Sequence, residues 1–235
     1  MKKFLSCGIL FSLIALCAPN AAAVSRAKQY LHPKVKSREY SIKSVLIVPP
    51  RVELMRLGIK GSEGMSKESD ALAEMLLGMV VKQLEDRKVR ILPNPFGQET
   101  LAKDEELAAT LARVQGRYDS VATQLHKKPK DVQKARFSLG DEVANLGPAR
   151  NADALVFLRG SGNVLTGGKK AFGWLVTGQT RNMLTFYVSF VDSKTGELLC
   201  IMTVFAMGDY AGKPDKTMGK TLTKSFSKLP LAGGT

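Results

Sequence analysis

Apolar positions along this chain repeat with distinct periods, and each period predicts a kind of element. Leu72, Met75, Leu76, Met79, Val80 and Leu84 recur at steps of three and four. That spacing draws one apolar stripe on a helix of about 66–87. Ser66 stands at its start as the expected N-cap, with Glu68 and Asp70 in the first turn, where carboxylates favour the helix dipole. Leu107, Leu111, Val114, Tyr118, Val121 and Leu125 are spaced 4-3-4-3-4, a narrow seam on a helix of about 102–126. Val132, Leu139, Val143 and Leu146 continue an apolar face, which predicts a second helix of about 130–146, stopped by Gly147-Pro148. The two together read as a helical-hairpin insert of about 100–147, which either projects to meet a partner or packs on the main sheet. Met218, Leu222, Phe226 and Leu229 predict a basic amphipathic helix over 213–228.

Other stretches read as strands. Ser44–Pro50 is a β-branched apolar run closed by two prolines, as suits a strand buried on both faces. Val89–Leu92, Asp153–Gly162, Thr180–Asp192 and Glu197–Gly208 complete a set of about five. Asp192-Ser-Lys-Thr-Gly196 joins the last two as a hairpin turn, with glycine where a positive φ is expected. Arg51–Gly64, with three glycines, reads as a loop. The order predicts an α/β (α+β) fold, a small mixed sheet with flanking helices, in a single domain of 44–230.

The amino terminus changes the setting. Lys2 and Lys3 precede an apolar run from Phe4 to Leu16, and Ala21-x-Ala23 follows. This is the pattern of a cleaved secretory signal over 1–23, too short to span a bilayer. Cys17 is a possible lipidation site, but Leu16 is bulky for the position before a modified cysteine. A soluble periplasmic protein is favoured over an outer-membrane lipoprotein. Residues 24–43 carry six cations and one Glu39, and read as a basic flexible arm.

The formal net charge is +14, two of it from Lys2 and Lys3. Export removes nucleic acid from the expected partners. An envelope protein, self-association, an anionic membrane surface or an acidic glycan remain. Downstream of the signal only Cys200 is left, in an apolar strand-like run. An internal disulfide is therefore excluded for the mature chain, and a buried small hydrophobe is the expected role.

Candidate chemistry is sparse. The two histidines, His32 and His126, lie far apart, and no metal-ligand spacing occurs, so no metal is expected. Gly160-Ser161-Gly162 lacks the glycine two residues before the serine that a nucleophile elbow needs. Gly162–Lys170 resembles a phosphate loop, but Gly168 precedes Lys169 and Lys170 stands where a hydroxyl residue is required. No catalytic residue and no cofactor is expected. The same glycine-rich segment, 160–178, reads as a long connection carrying Lys169, Lys170, Phe172 and Trp174. Aromatics among lysines on a long loop are the candidate partner-contact residues.

Ser44-Val-Leu-Ile-Val-Pro-Pro-Arg51, Ala152-Asp-Ala-Leu-Val-Phe157 and Val188–Leu198, with its Asp-Ser-Lys-Thr-Gly-Glu turn, resemble bacterial envelope proteins sharing the TolB amino-terminal fold. CsgG, LpoB and a group of envelope lipoproteins belong there. The resemblance covers about 44–92 and 150–229. It implies non-enzymatic protein–protein work in envelope assembly or secretion. The alternative from charge is a periplasmic module that binds anionic lipid or glycan.

Overall fold

The computed structural model describes residues 24–167, 181–208 and 216–231. A mixed sheet of eight strands forms its middle layer: β1 (Val24–Leu31), β2 (Ser44–Ile47), β3 (Arg51–Gly58), β4 (Gly61–Gly64), β5 (Arg90–Ile91), β6 (Ala154–Leu165), β7 (Met183–Asp192) and β8 (Leu198–Met207). Across the sheet the order is β1-β8-β7-β6. The far side of β6 is shared: β2, with β5 beyond it, pairs its first half, and β3, with β4 beyond it, pairs its second half. The sheet does not close into a barrel.

Helices cover both faces. On one, α2 (Ser66–Glu85) and α5 (Lys216–Phe226) bury Leu72, Leu76, Val80, Leu84, Met218, Leu222 and Phe226 against Val156, Leu158, Val188 and Phe190. On the other, α4 (Glu105–Lys127) lays Leu111, Val114, Tyr118 and Leu125 on Leu155, Phe157 and Ile201. The insert therefore packs on the sheet. A short helix α1 (Pro33–Lys36) follows β1, and α3 (Gln98–Lys103) precedes α4, whose first turn Asp104 caps through the Leu107 N–H at 2.9 Å.

Several expectations are corrected. Residues 24–31 are not a flexible arm. They form β1, paired antiparallel along its length with β8. Arg26 and Lys28 point to one face and Ala27 and Leu31 pack toward the other, a period of two that the positive charge hides. Residues 51–64 are the hairpin β3–β4 and not a loop. The second arm of the insert is not a helix over 130–146. It is a series of 3-10 turns, Pro129–Lys134, Asp141–Asn145 and Gly147–Asn151, interrupted where Ala135 and Gly140 take positive φ. Val132, Leu139, Val143 and Leu146 are nevertheless all buried together. The N-cap of α2 is Met65, one residue before Ser66, and no side chain caps it.

Cys200 is fully buried, and burial pushes its thiol up to about 12, so it behaves as a small hydrophobe.

The join between β2 and β3 shifts the strand register. Ile47 pairs with Val156 and Arg51 with Arg159, so four steps on the edge strand oppose three on β6. The extra residue is a bulge at Val48-Pro49-Pro50, where the prolines have no N–H to give to the ladder. A one-residue slip exchanges faces. Val45 and Ile47 look toward α2 before the bulge; after it, Arg51 and Glu53 look toward α4.

Candidate functional site: an arginine pair on the open half of the sheet

Because of that bulge, Arg51 stands beside Arg159 on the α4 face, and Tyr187 of β7 is the partner of Arg159 on its other side. Asp119 of α4 reaches down between the two arginines. Its Oδ1 accepts from Arg159 Nε at 2.7 Å and its Oδ2 from Arg51 Nη1 at 2.9 Å. Arg51 Nη2 also donates to Gln115 Oε1.

Arg159 is held on every side. It is 9% exposed, and its guanidinium carbon lies 5.1 Å from the Tyr118 ring centroid and 5.9 Å from that of Phe157. Those two rings are stacked at 4.3 Å. Such contacts fix a guanidinium as well as attract it. Nη1 donates to its own neighbour's carbonyl, Leu158 O, at 3.1 Å. Nη2 is buried and has no hydrogen-bond partner among the described residues. A buried donor left unpaired costs about 1–3 kcal/mol, more when charged. Below it, Tyr118 is wholly buried and shares a hydrogen bond of 2.7 Å with Ser189; burial carries its phenol up to about 12.

A cavity of about 230 Å³ opens over this pair, lined by Arg51, Glu53, Asp119, Thr123, Arg159, Ser161 and Tyr187, with Ala122 and Gly160. Beyond it, toward the strand tips, no helix among the described residues packs on this face. Ser161 and Glu53 are exposed there, and Thr185, Thr203 and Phe205 are half-buried. Arg26 and Lys28, exposed on β1, close the far side. The opposite face is buried at the same level, at Leu54, Leu184 and Ala206.

A second cavity, about 530 Å³, lies between α1 and the segment after α5. Its cations, Lys36, Arg38 and Lys228, are all exposed, and no ion pair among the described residues fixes them, so the smaller cavity is the better-built site.

The motif residues singled out in the sequence hold turns. Asp153 Oδ2 accepts from the N–H groups of Lys43 and Ser44 at 2.9 and 2.8 Å. Asp192 Oδ1 accepts from those of Lys194 and Thr195 at 2.9 and 3.0 Å, closing the β7–β8 turn, while Oδ2 meets Lys34 at 3.5 Å. Burial alone would raise the Asp192 carboxyl, but these donors and the Lys34 ammonium hold it below the usual range. The Lys34 hydrogen bond lowers Glu197 likewise, and burial, with Lys34 beside it, lowers His32.

Lys169, Lys170, Phe172, Trp174 and Cys17 lie outside the described residues. Among the described residues no cluster of His, Cys, Asp and Glu could hold a metal ion, and no helix is long and apolar enough to cross a membrane. Arg51, Asp119 and Arg159 were not legible as a set. A signal existed: Arg159 ends an apolar run inside a strand, and Asp119 is an acid directly following Tyr118, at the border of an unbroken apolar seam.

No family model matches the chain, and no curated protein does. Among solved structures, a PelC dodecamer from Paraburkholderia phytofirmans is 9% identical, with a TM-score of 0.39 over 88% of this chain and 99% of that one. A point variant of PelC from the same organism, also a dodecamer, is 8% identical, with a TM-score of 0.37 over 85% and 96%. Likenesses at this level are too low to define a shared fold.

Proposed function

We propose that this chain is a non-enzymatic accessory protein of the bacterial envelope that acts by binding, and that its ligand on the open half of the sheet is an acidic glycan. One observation carries the reading. Arg26 and Lys28 on one side and Arg51 and Arg159 on the other face the same surface, where Asp119 and Glu53 supply the opposing carboxylates. Four strand spacings across β1-β8-β7-β6-β3 separate those margins. At the usual strand spacing that is roughly 19 Å, room for a run of saccharide units. Between them lie hydroxyls and two aromatic rings, Tyr187 and Phe205, the groups that meet sugar rings. The leader pattern expected over residues 1–23 supports an envelope setting.

Retention on an immobilised polyuronate tests the reading, with a neutral glucan and anionic vesicles as controls. The protein is expected to bind the polyuronate at low salt and to elute as salt rises, because exposed charges are screened. Arg26→Glu with Lys28→Glu is expected to weaken retention about tenfold or more. Equal retention on the neutral glucan, or retention that the double reversal leaves unchanged, would contradict it.

A second reading, docking to an envelope protein, is favoured by one feature. Ile59 at the β3–β4 tip is 71% exposed and Met55 is 38% exposed. Ile59→Ser would then abolish co-purification with a defined partner while leaving polyuronate retention intact.

A further inference from the structure

We propose that the cavity over Arg51 and Arg159 is a subsite for a single sugar-acid residue, its carboxylate on the arginine pair and its ring hydroxyls on Glu53, Ser161 and Thr123. This rests on the acidic-glycan reading and names the chemistry of its anchoring point.

At about 230 Å³ the cavity is below the usual range for drug-sized ligands, so it suits one ring rather than an extended molecule. The arginines that line it are held ready. Asp119 fixes both guanidiniums from one side, and the Tyr118–Phe157 stack fixes Arg159 from below. Both Asp119 oxygens are already used, and Arg159 Nη2, itself buried, has no acceptor among the described residues. A guanidinium already held in place loses little freedom on meeting a carboxylate, and a charge-assisted bond there is stronger than one to a solvated lysine.

The rim narrows the ligand class. Glu53 and Asp119 both line the cavity, so with Arg51 and Arg159 the four formal charges balance. A dianion such as phosphate would lie against two carboxylates. A monoanion that also carries hydroxyls would not: its carboxylate takes the arginines, and its O–H groups donate to Glu53. Ser161 and Thr123 add exposed hydroxyls, and Tyr187, the β7 partner of Arg159, supplies an aromatic wall.

Calorimetric or NMR titration of the full chain with glucuronate tests this, with glucose, acetate and inorganic phosphate as comparison probes. Glucuronate is expected to bind at least about tenfold more tightly than any of the three, and to shift the Arg51 and Arg159 side-chain resonances. Arg51→Gln, at an exposed position that folding tolerates, is expected to weaken glucuronate about tenfold. Glu53→Gln is expected to weaken glucuronate and to strengthen phosphate. The proposal is overturned if acetate or phosphate binds as well as glucuronate, if Arg51→Gln changes nothing, or if glucuronate does not bind. Should any of these occur while polyuronate is still retained in a salt-dependent way, the subsite falls and the broader binding reading stands.

Discussion

Asp119 shows how one residue can serve two ends. Its carboxylate holds two arginines that the strand register brings side by side, and without it Arg159 would be a buried charge with no counter-ion among the described residues. Asp119→Ala should therefore lower stability by about 2 kcal/mol in chemical denaturation; the figure is below that of a wholly buried pair because Asp119 is partly exposed. The acid response is set at other residues. Asp192 and Glu197 sit below the usual carboxylate range in the folded chain, so the stability they add is present above about pH 4 and is lost as pH falls through their folded values. His32 is a base whose folded value is lowered from 6.5, so the unfolded chain takes up its proton first. Stability should begin to fall below about pH 6.5 and fall further below about pH 4. Urea midpoints measured from pH 8 to pH 3 check this, and His32→Gln should remove the upper limb while leaving the lower one.

At the scale of elements, legibility followed burial on two sides. The strands β2, β6, β7 and β8 are runs of apolar residues buried on both faces near the sheet's centre, and such runs declare themselves. The edge elements did not. In β1 the alternation of Arg26 and Lys28 with Ala27 and Leu31 reads as charge before it reads as period two. In β3 the alternation of Arg51, Val52, Glu53 and Leu54 sits between a Pro-Pro pair and three glycines. The insert's second arm kept its buried positions and lost its helix, because an apolar step of three or four fits successive 3-10 turns as well as an α-helix. The hairpin turn has the conformation its sequence predicts: Gly196 takes φ +68°. It also docks on the insert, where Leu139 N–H donates to Gly196 O at 2.8 Å, and a Cβ at Gly196 would lie 2.4 Å from Gly140 O. Gly196→Ala should cost at least about 2 kcal/mol and lower the thermal midpoint, from strain and clash together.

For the whole molecule, the instructive element is a single inserted residue. Without the bulge at Val48–Pro50, the register would send Arg51 toward α2 and into an apolar core. With it, three segments far apart in the chain, around residues 51, 119 and 159, meet on the face that α4 leaves open. Registers of that kind come from pairing, which no local pattern encodes, and this is why the fold class could be read from the sequence and the candidate site could not. Binding on the open half of this face is the property on which the functional reading stands or falls. Amide NMR during titration with an oligouronate locates the binding surface residue by residue. The perturbed amides should cluster on β1, β8, β7, β6 and β3 around Arg26, Thr203, Tyr187, Arg159 and Arg51. Perturbations confined to the groove between α1 and the segment after α5, or spread evenly over the surface, would contradict it.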